Sequence, residues 1–201
     1  MLKNKEILIQ LIMRLRGRGI TNDKLLNIIE KNPPHYYASL FGGFENNNEL
    51  NYNELVNISR IFDNILKRQL KINNFLICNI KIGWSIVLAS QISRRVYSLC
   101  YSSEQKIKLE NLYNHYNLKN VYLACGKSWS TWKKVAPFEI VFSLSPIEKI
   151  SDDLLKYISK TGIIITPYNK NKKTKYVSID ARKHVNDINI DYNSLKESEI
   201  L

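Results

Sequence analysis

Apolar residues recur three and four positions apart over residues 3–16, at Ile7, Leu8, Leu11, Ile12 and Leu15. That spacing predicts an amphipathic helix, stopped by Gly17 and Gly19. A second, shorter helix follows. Thr21 or Asn22 caps it, Leu25, Leu26, Ile28 and Ile29 form its apolar stripe, and Pro33 and Pro34 end it. The segment FGGFENNNELNYN, Phe41 to Asn53, follows neither the helical nor the strand period and is predicted to be a mobile loop. Helical spacing returns from Glu54 to Leu70, through Leu55, Ile58, Ile61, Phe62, Ile65 and Leu66.

At Phe75 the pattern changes. The unbroken apolar run Phe75, Leu76, Ile77 predicts a strand buried on both faces, and Trp84, Ile86, Val87 and Leu88 begin a helix behind it. The tight turn between them holds one glycine, Gly83. Strands are then predicted at Val96–Leu99, Val121–Ala124, Glu139–Phe142 and Ile163–Ile165. Between them lie a helix from Ser103 to Tyr116, with Ser103 as its cap, and a helix from Ile150 to Ile158 opened by Ser151 and two aspartates. The tail adds two weaker strands, Tyr176–Ile179 and Ile188–Ile190. This alternation implies an α/β fold: a mostly parallel, three-layer sheet with right-handed crossovers. Residues 1–70 are expected to form a helical extension packed on a core of residues 71–201, within one domain. Ligands in such sheets bind beyond the carboxyl ends of the strands.

Composition narrows this picture. A chain of 201 residues with 44% hydrophobic content buries one substantial core. No apolar run reaches the ~18 residues of a membrane span, and the N-terminal stretch carries its charges inside the apolar segment, so the expectation is a cytoplasmic protein without a membrane partner. Cys78, Cys100 and Cys125 have neither metal-ligand spacing nor a C-x-x-C pair, which predicts free thiols and no metal site. Each falls near the carboxyl end of a successive strand, an arrangement that would gather them in one pocket as small, polarizable filler.

The formal charge of +12 admits a nucleic-acid or acidic partner. It equally fits surface positions enriched in Lys and Asn, because the cations are dispersed apart from NKNKKTK, Asn169 to Lys175, a predicted solvated turn. Trp129 and Trp132, beside Lys133 and Lys134, suit either stacking on a base or packing over a strand end. His35, His115 and His184 lie in three distant segments with no acidic partner in a recognisable motif.

Two longer segments carry a resemblance. RLRGRGITNDKLLNIIEKNPPHYY, Arg14 to Tyr37, and APFEIVFSLSPIEKISDDLLKYISKTGIIITPY, Ala136 to Tyr168, are similar to the opening helices and to the "A-P-Y-D … I-P-x-x-L-L-x-Q-L-K-P-G-G-x-L-V-I-P" segment of the protein-L-isoaspartate O-methyltransferases. The resemblance implies a Rossmann-like methyltransferase fold, S-adenosylmethionine as cofactor, and methyl transfer to isoaspartyl carboxylates of damaged proteins. It also implies cofactor-binding positions at Asn79, Lys81, Gly83, Cys100 and Gly126. The family's "T-I-S" segment, set on Asn57, Ile58 and Ser59, makes Ser59 the candidate substrate contact; a second register falls near Tyr52 to Glu54, and an ordinary residue on the helix's polar face is the other reading of Ser59.

The departures fall at the contacts themselves. Against the family's "V-L-E-I-G-x-G-x-G-Y", the glutamate is Ile77, the first two glycines are Asn79 and Lys81, and only Gly83 followed by Trp84 is kept. The acid that holds the ribose falls at Cys100, and the aspartate of a "G-D-G" falls at Cys125, with Gly126 retained. A thiol is a weak acceptor where a carboxylate is a strong one. Each lost hydrogen bond to a charged group costs about 1.5–3 kcal/mol, so two losses weaken binding by roughly two to four powers of ten. Two readings of function follow: a protein carboxyl methyltransferase with a remodelled cofactor site, or a catalytically impaired relative acting as an interaction or regulatory protein on RNA or an acidic partner.

Overall fold

Phe75, Leu76 and Ile77 have no exposed surface, and this two-sided burial suits strand β1 (Ile72–Ile77) to the interior of the sheet. The computed structural model describes residues 2–40, 52–78, 83–100, 102–126, 128–143, 152–170 and 173–191. Strand β1 pairs in parallel with β2 (Ser93–Cys100) on one side and β4 (Phe138–Phe142) on the other. Beyond these lie β3 (Val121–Cys125), parallel to β2, and β5 (Ile158–Lys170), parallel to β4. Strands β6 (Lys173–Asp180) and β7 (Val185–Asp191) complete the order β3-β2-β1-β4-β5-β6-β7 as an antiparallel edge. The mostly parallel sheet expected from the sequence is therefore present.

The antiparallel edge has a simple cause. A parallel return needs a crossover of about a dozen residues, whereas β5 and β6 pair up to Lys170 opposite Lys173. The basic NKNKKTK run thus supplies the two strand ends of this hairpin, with residues 171 and 172 outside the described ones.

One face of the sheet carries α1 (Leu2–Gly17), α2 (Asp23–Lys31), α3 (Tyr52–Lys67), α4 (Trp84–Ile92) and α5 (Ser103–His115). Leu11, Leu25, Phe62 and Leu109 from these helices join Phe75, Ile77, Val96 and Phe142 in one hydrophobic cluster. The alternate residues Leu76, Tyr97, Val141 and Ile164 build a second cluster on the other face. There they meet Leu154 of α6 (Asp152–Leu155) and a 3-10 segment, Trp129–Val135.

The helix predicted from Ile150 to Ile158 is corrected to the four residues of α6 within the described chain, while Ser151 and the seven residues before it lie outside the described ones. Ile158 is instead the first residue of β5, paired with Phe138, and the Phe138 amide donates to the Tyr157 carbonyl at 2.9 Å. The register then shifts, Ile140 pairing with Ile163, and Gly162 occupies the irregularity. A Cβ there would come within 2.7 Å of the Phe138 carbonyl oxygen. The predicted loop Phe41–Asn53 lies outside the described residues up to Asn51.

Helix caps follow side-chain chemistry. Asn22 accepts from the Leu25 amide at 3.1 Å and so caps α2. Helix α5 is capped by Ser102, which accepts from the Gln105 amide at 3.1 Å, and Ser103 becomes its first helical residue.

Trp84 ties the N-terminal helices to the core. Its ring is wholly buried, and its Nε1 donates to the Asn32 carbonyl at 2.9 Å just past the end of α2. The Asn32 side chain in turn donates to the Ile28 carbonyl at 2.9 Å and accepts from the Tyr37 hydroxyl at 2.8 Å. Truncation by Trp84→Ala removes both packing and bond, and is expected to cost about 3–5 kcal/mol in urea unfolding. Trp84→Phe keeps a ring and should lose distinctly less; equal losses would show that the ring's packing is immaterial.

The β6–β7 connection is held by one carboxylate. Asp180 accepts from the amides of His184 at 2.9 Å and Arg182 at 2.8 Å, and its second oxygen lies 3.0 Å from the His184 ring Nδ1. The His184 amide bond is the main reason this carboxyl sits below its ordinary range. A depressed value means the stabilisation is present above the unfolded aspartate value and is lost as pH falls through the lower folded one. An NMR titration of the Arg182 and His184 amides should therefore show a midpoint below about 3.9. In Asp180→Ala that transition should be absent.

Candidate functional site at the strand ends

The parallel strands β1 to β4 present their carboxyl ends along one edge, where Cys78, Cys100, Cys125 and Ser143 stand. The ladders run slightly past the strands. The Cys78 amide donates to the Phe142 carbonyl at 2.8 Å, Ser143 to Ile165 at 2.9 Å, and Gly126 to Cys100 at 3.0 Å. These bonds fix the backbone of the edge at which a sheet of this kind binds ligands.

Cys100 and Cys125 are register partners on β2 and β3, and their sulfurs lie 3.3 Å apart. Cys100 is wholly buried under α5, whereas Cys125 is exposed. Burial is the main reason the Cys100 thiol is pushed up to about 11, with the hydrogen bond to Cys125 second and Lys106 opposing. Cys100 is therefore a neutral thiol at neutral pH. The two positions at which family carboxylates are expected hold two sulfurs that contact each other.

The pocket of three cysteines expected from the sequence is corrected to a pair. Leu76 is level with Tyr97, so two residues further on Cys78 is level with Leu99, one short of Cys100. With a side-chain period of two, that single residue turns Cys78 to the opposite face. There Cys78 packs against the cluster of Leu76 and Tyr97, and burial pushes its thiol up to about 12.

Gly83 and Gly126 have separate local settings. Gly83 precedes α4 with φ −149° and ψ −173°, an extended conformation open to any residue. A Cβ on Gly126 would collide with the hydroxyl of Thr131, which donates to the Ser128 carbonyl at 2.9 Å. Asn79 and Lys81 lie outside the described residues. The polar-face reading of Ser59 is corrected: the residue is fully buried in α3, where its hydroxyl donates to the Leu55 carbonyl at 2.7 Å.

The tryptophans pack over the sheet. Trp132 donates from Nε1 to the Ser98 carbonyl at 2.9 Å and lies 4.9 Å from the Tyr97 ring. The Lys133 ammonium sits 5.2 Å from the centroids of both Trp129 and Tyr157 and 2.7 Å from Asp153. His35 is partly buried, which lowers its proton affinity, and His184 bonds Asp180. Among the described residues no three His, Cys, Asp or Glu side chains are grouped to hold a metal, and no helix is long and apolar enough to cross a membrane.

The mostly parallel sheet with its antiparallel edge is that of a Rossmann-like methyltransferase fold. Residues 86–195 match the model of the protein-L-isoaspartate(D-aspartate) O-methyltransferase family, more than half of the chain. The chain belongs to that family. It is 23% identical over 188 residues to the protein-L-isoaspartate O-methyltransferase of Maricaulis maris, spanning 90% of this chain and 87% of that one. The corresponding Idiomarina loihiensis protein is 20% identical over 181 residues, with 86% and 84% covered. The fold is shared with a Plasmodium falciparum structure described as a protein-L-isoaspartate O-methyltransferase in complex with S-adenosyl-L-homocysteine, at a TM-score of 0.62 and 14% identity, covering 90% of this chain and 94% of that one.

Tyr113 is a further side chain at the thiols, which the Leu109–Tyr113 helical spacing marks as core-facing without indicating its neighbours. Its hydroxyl is buried without a hydrogen-bond partner among the described residues, and burial first, then the charge Cys100 would carry, raise its proton affinity. An unpartnered buried hydroxyl costs about 1–3 kcal/mol. Tyr113→Phe is accordingly expected to raise the thermal midpoint; a fall would reveal a bond that the hydroxyl makes in solution.

Proposed function

We propose that this chain is a family member in which S-adenosylmethionine is bound weakly and methyl transfer to isoaspartyl carboxylates in proteins is impaired. The observation that carries the reading is the Cys100–Cys125 sulfur contact at 3.3 Å. A ribose diol needs an anionic acceptor able to take two hydrogen bonds, and Cys100 supplies a neutral, buried sulfur already directed at its neighbour. The described residues at the strand ends therefore fit the cofactor poorly.

Calorimetric titration with S-adenosylmethionine and S-adenosylhomocysteine tests this directly. The expected result is binding weaker than a carboxylate-bearing site by roughly two to four powers of ten. Restoring the acids in Cys100→Asp/Cys125→Asp should recover part of that affinity in the folded variant. Micromolar binding by the native chain, together with methylation of an isoaspartyl peptide, would overturn the proposal.

A further inference from the structure

Cys100 and Cys125 have a chemistry of their own, independent of any cofactor. Residues in register on neighbouring parallel strands lie about 4.8 Å apart, inside the Cα separation of about 4.4–6.8 Å that a disulfide spans. Both side chains leave the same face, and their sulfurs already stand at 3.3 Å. The spacing of such a pair is compatible with a sulfur–sulfur bond of about 2.05 Å. The two thiols also differ in access, since Cys125 is exposed and Cys100 is not. Cys78, on the other face of the sheet, does not compete.

We propose that Cys100 and Cys125 form a reversible dithiol–disulfide couple whose oxidant is a low-molecular-weight disulfide of the glutathione class. Cys125 gives up its proton and attacks one sulfur of the oxidant, forming a mixed disulfide and releasing one thiolate, which takes up a proton. Cys100 then loses its proton and attacks the Cys125 sulfur, forming the Cys100–Cys125 bond and expelling the second thiolate, which is protonated in turn. Two electrons and two protons pass from the protein to the oxidant, whose disulfide becomes two thiols. Excess small thiol reverses the sequence. Exposure selects Cys125 as the entry point and proximity selects Cys100 as the resolving thiol.

The test incubates the reduced, full-length protein with oxidised glutathione, then quenches with an alkylating agent under denaturing conditions for intact-mass and peptide analysis. The expected product has lost two hydrogens, carries a Cys100–Cys125 crosslink, and takes label at Cys78 alone. In Cys100→Ser the adduct should stop at a stable mixed disulfide on Cys125. In Cys125→Ser the native protein should neither crosslink nor gain an adduct at a comparable rate. A native protein that halts at the mixed disulfide, crosslinks through Cys78, or stays fully reduced while Cys125 is alkylated in the folded state would overturn the proposal. The native-chain result decides this even if a variant fails to fold.

Discussion

The parallel pairing of β1 with β4, buried on both faces, is the constraint from which the remaining structure follows. Phe75, Leu76 and Ile77 stand level with Ile140, Val141 and Phe142, and all six are wholly buried. Because neighbouring residues point to opposite faces, this one register fixes which side chains meet the helices and which meet the aromatic cover. It also decides the strand ends. Once the apolar run is seated, Cys78 has no choice of face, and the same period carried through β2 and β3 sets Cys100 against Cys125 on the other side. The geometry of the candidate site is thus inherited from core packing.

This dependence explains what could be read along the chain. Every predicted strand is present, because continuous or alternating apolar residues report burial directly. Helices α1, α2 and α3 are legible from apolar stripes of 3.6 period, α4 from its apolar residues behind the turn, and α5 from the serines at its start. Errors arose where equivalent chemistry stood side by side or where tertiary pairing outweighed a local signal. Ser102 and Ser103 offer the same hydroxyl, and only backbone geometry chooses Ser102. Ile158 fits a helical stripe, yet pairing with Phe138 draws it into β5 and leaves α6 a single turn. The three cysteines were correctly placed at strand ends, but their faces depend on a one-residue offset between strands that no local pattern encodes.

At the carboxyl edge of the sheet, burial limits which side chains can stand. Cys100 is wholly sealed from water. An ionised carboxylate there, without ligand hydroxyls to satisfy it, would be a buried unpaired charge, among the costliest single features a core can hold. A neutral thiol removes that cost and fills the space beside Cys125. Ser59 shows the same economy, its hydroxyl satisfied inside its own helix by the Leu55 carbonyl.

Gly126 has a local explanation of its own, since a side chain there would strike the Thr131 hydroxyl that closes the turn onto Ser128. A glycine held by packing is not evidence of a ligand approaching its backbone. Gly83 has an extended conformation available to any residue, so its backbone angles alone do not require glycine. Cys100 is thus explained by burial, Cys125 by its contact with Cys100 and Gly126 by the nearby Thr131 hydroxyl, so the side chains described at this edge are positioned by packing and by one another.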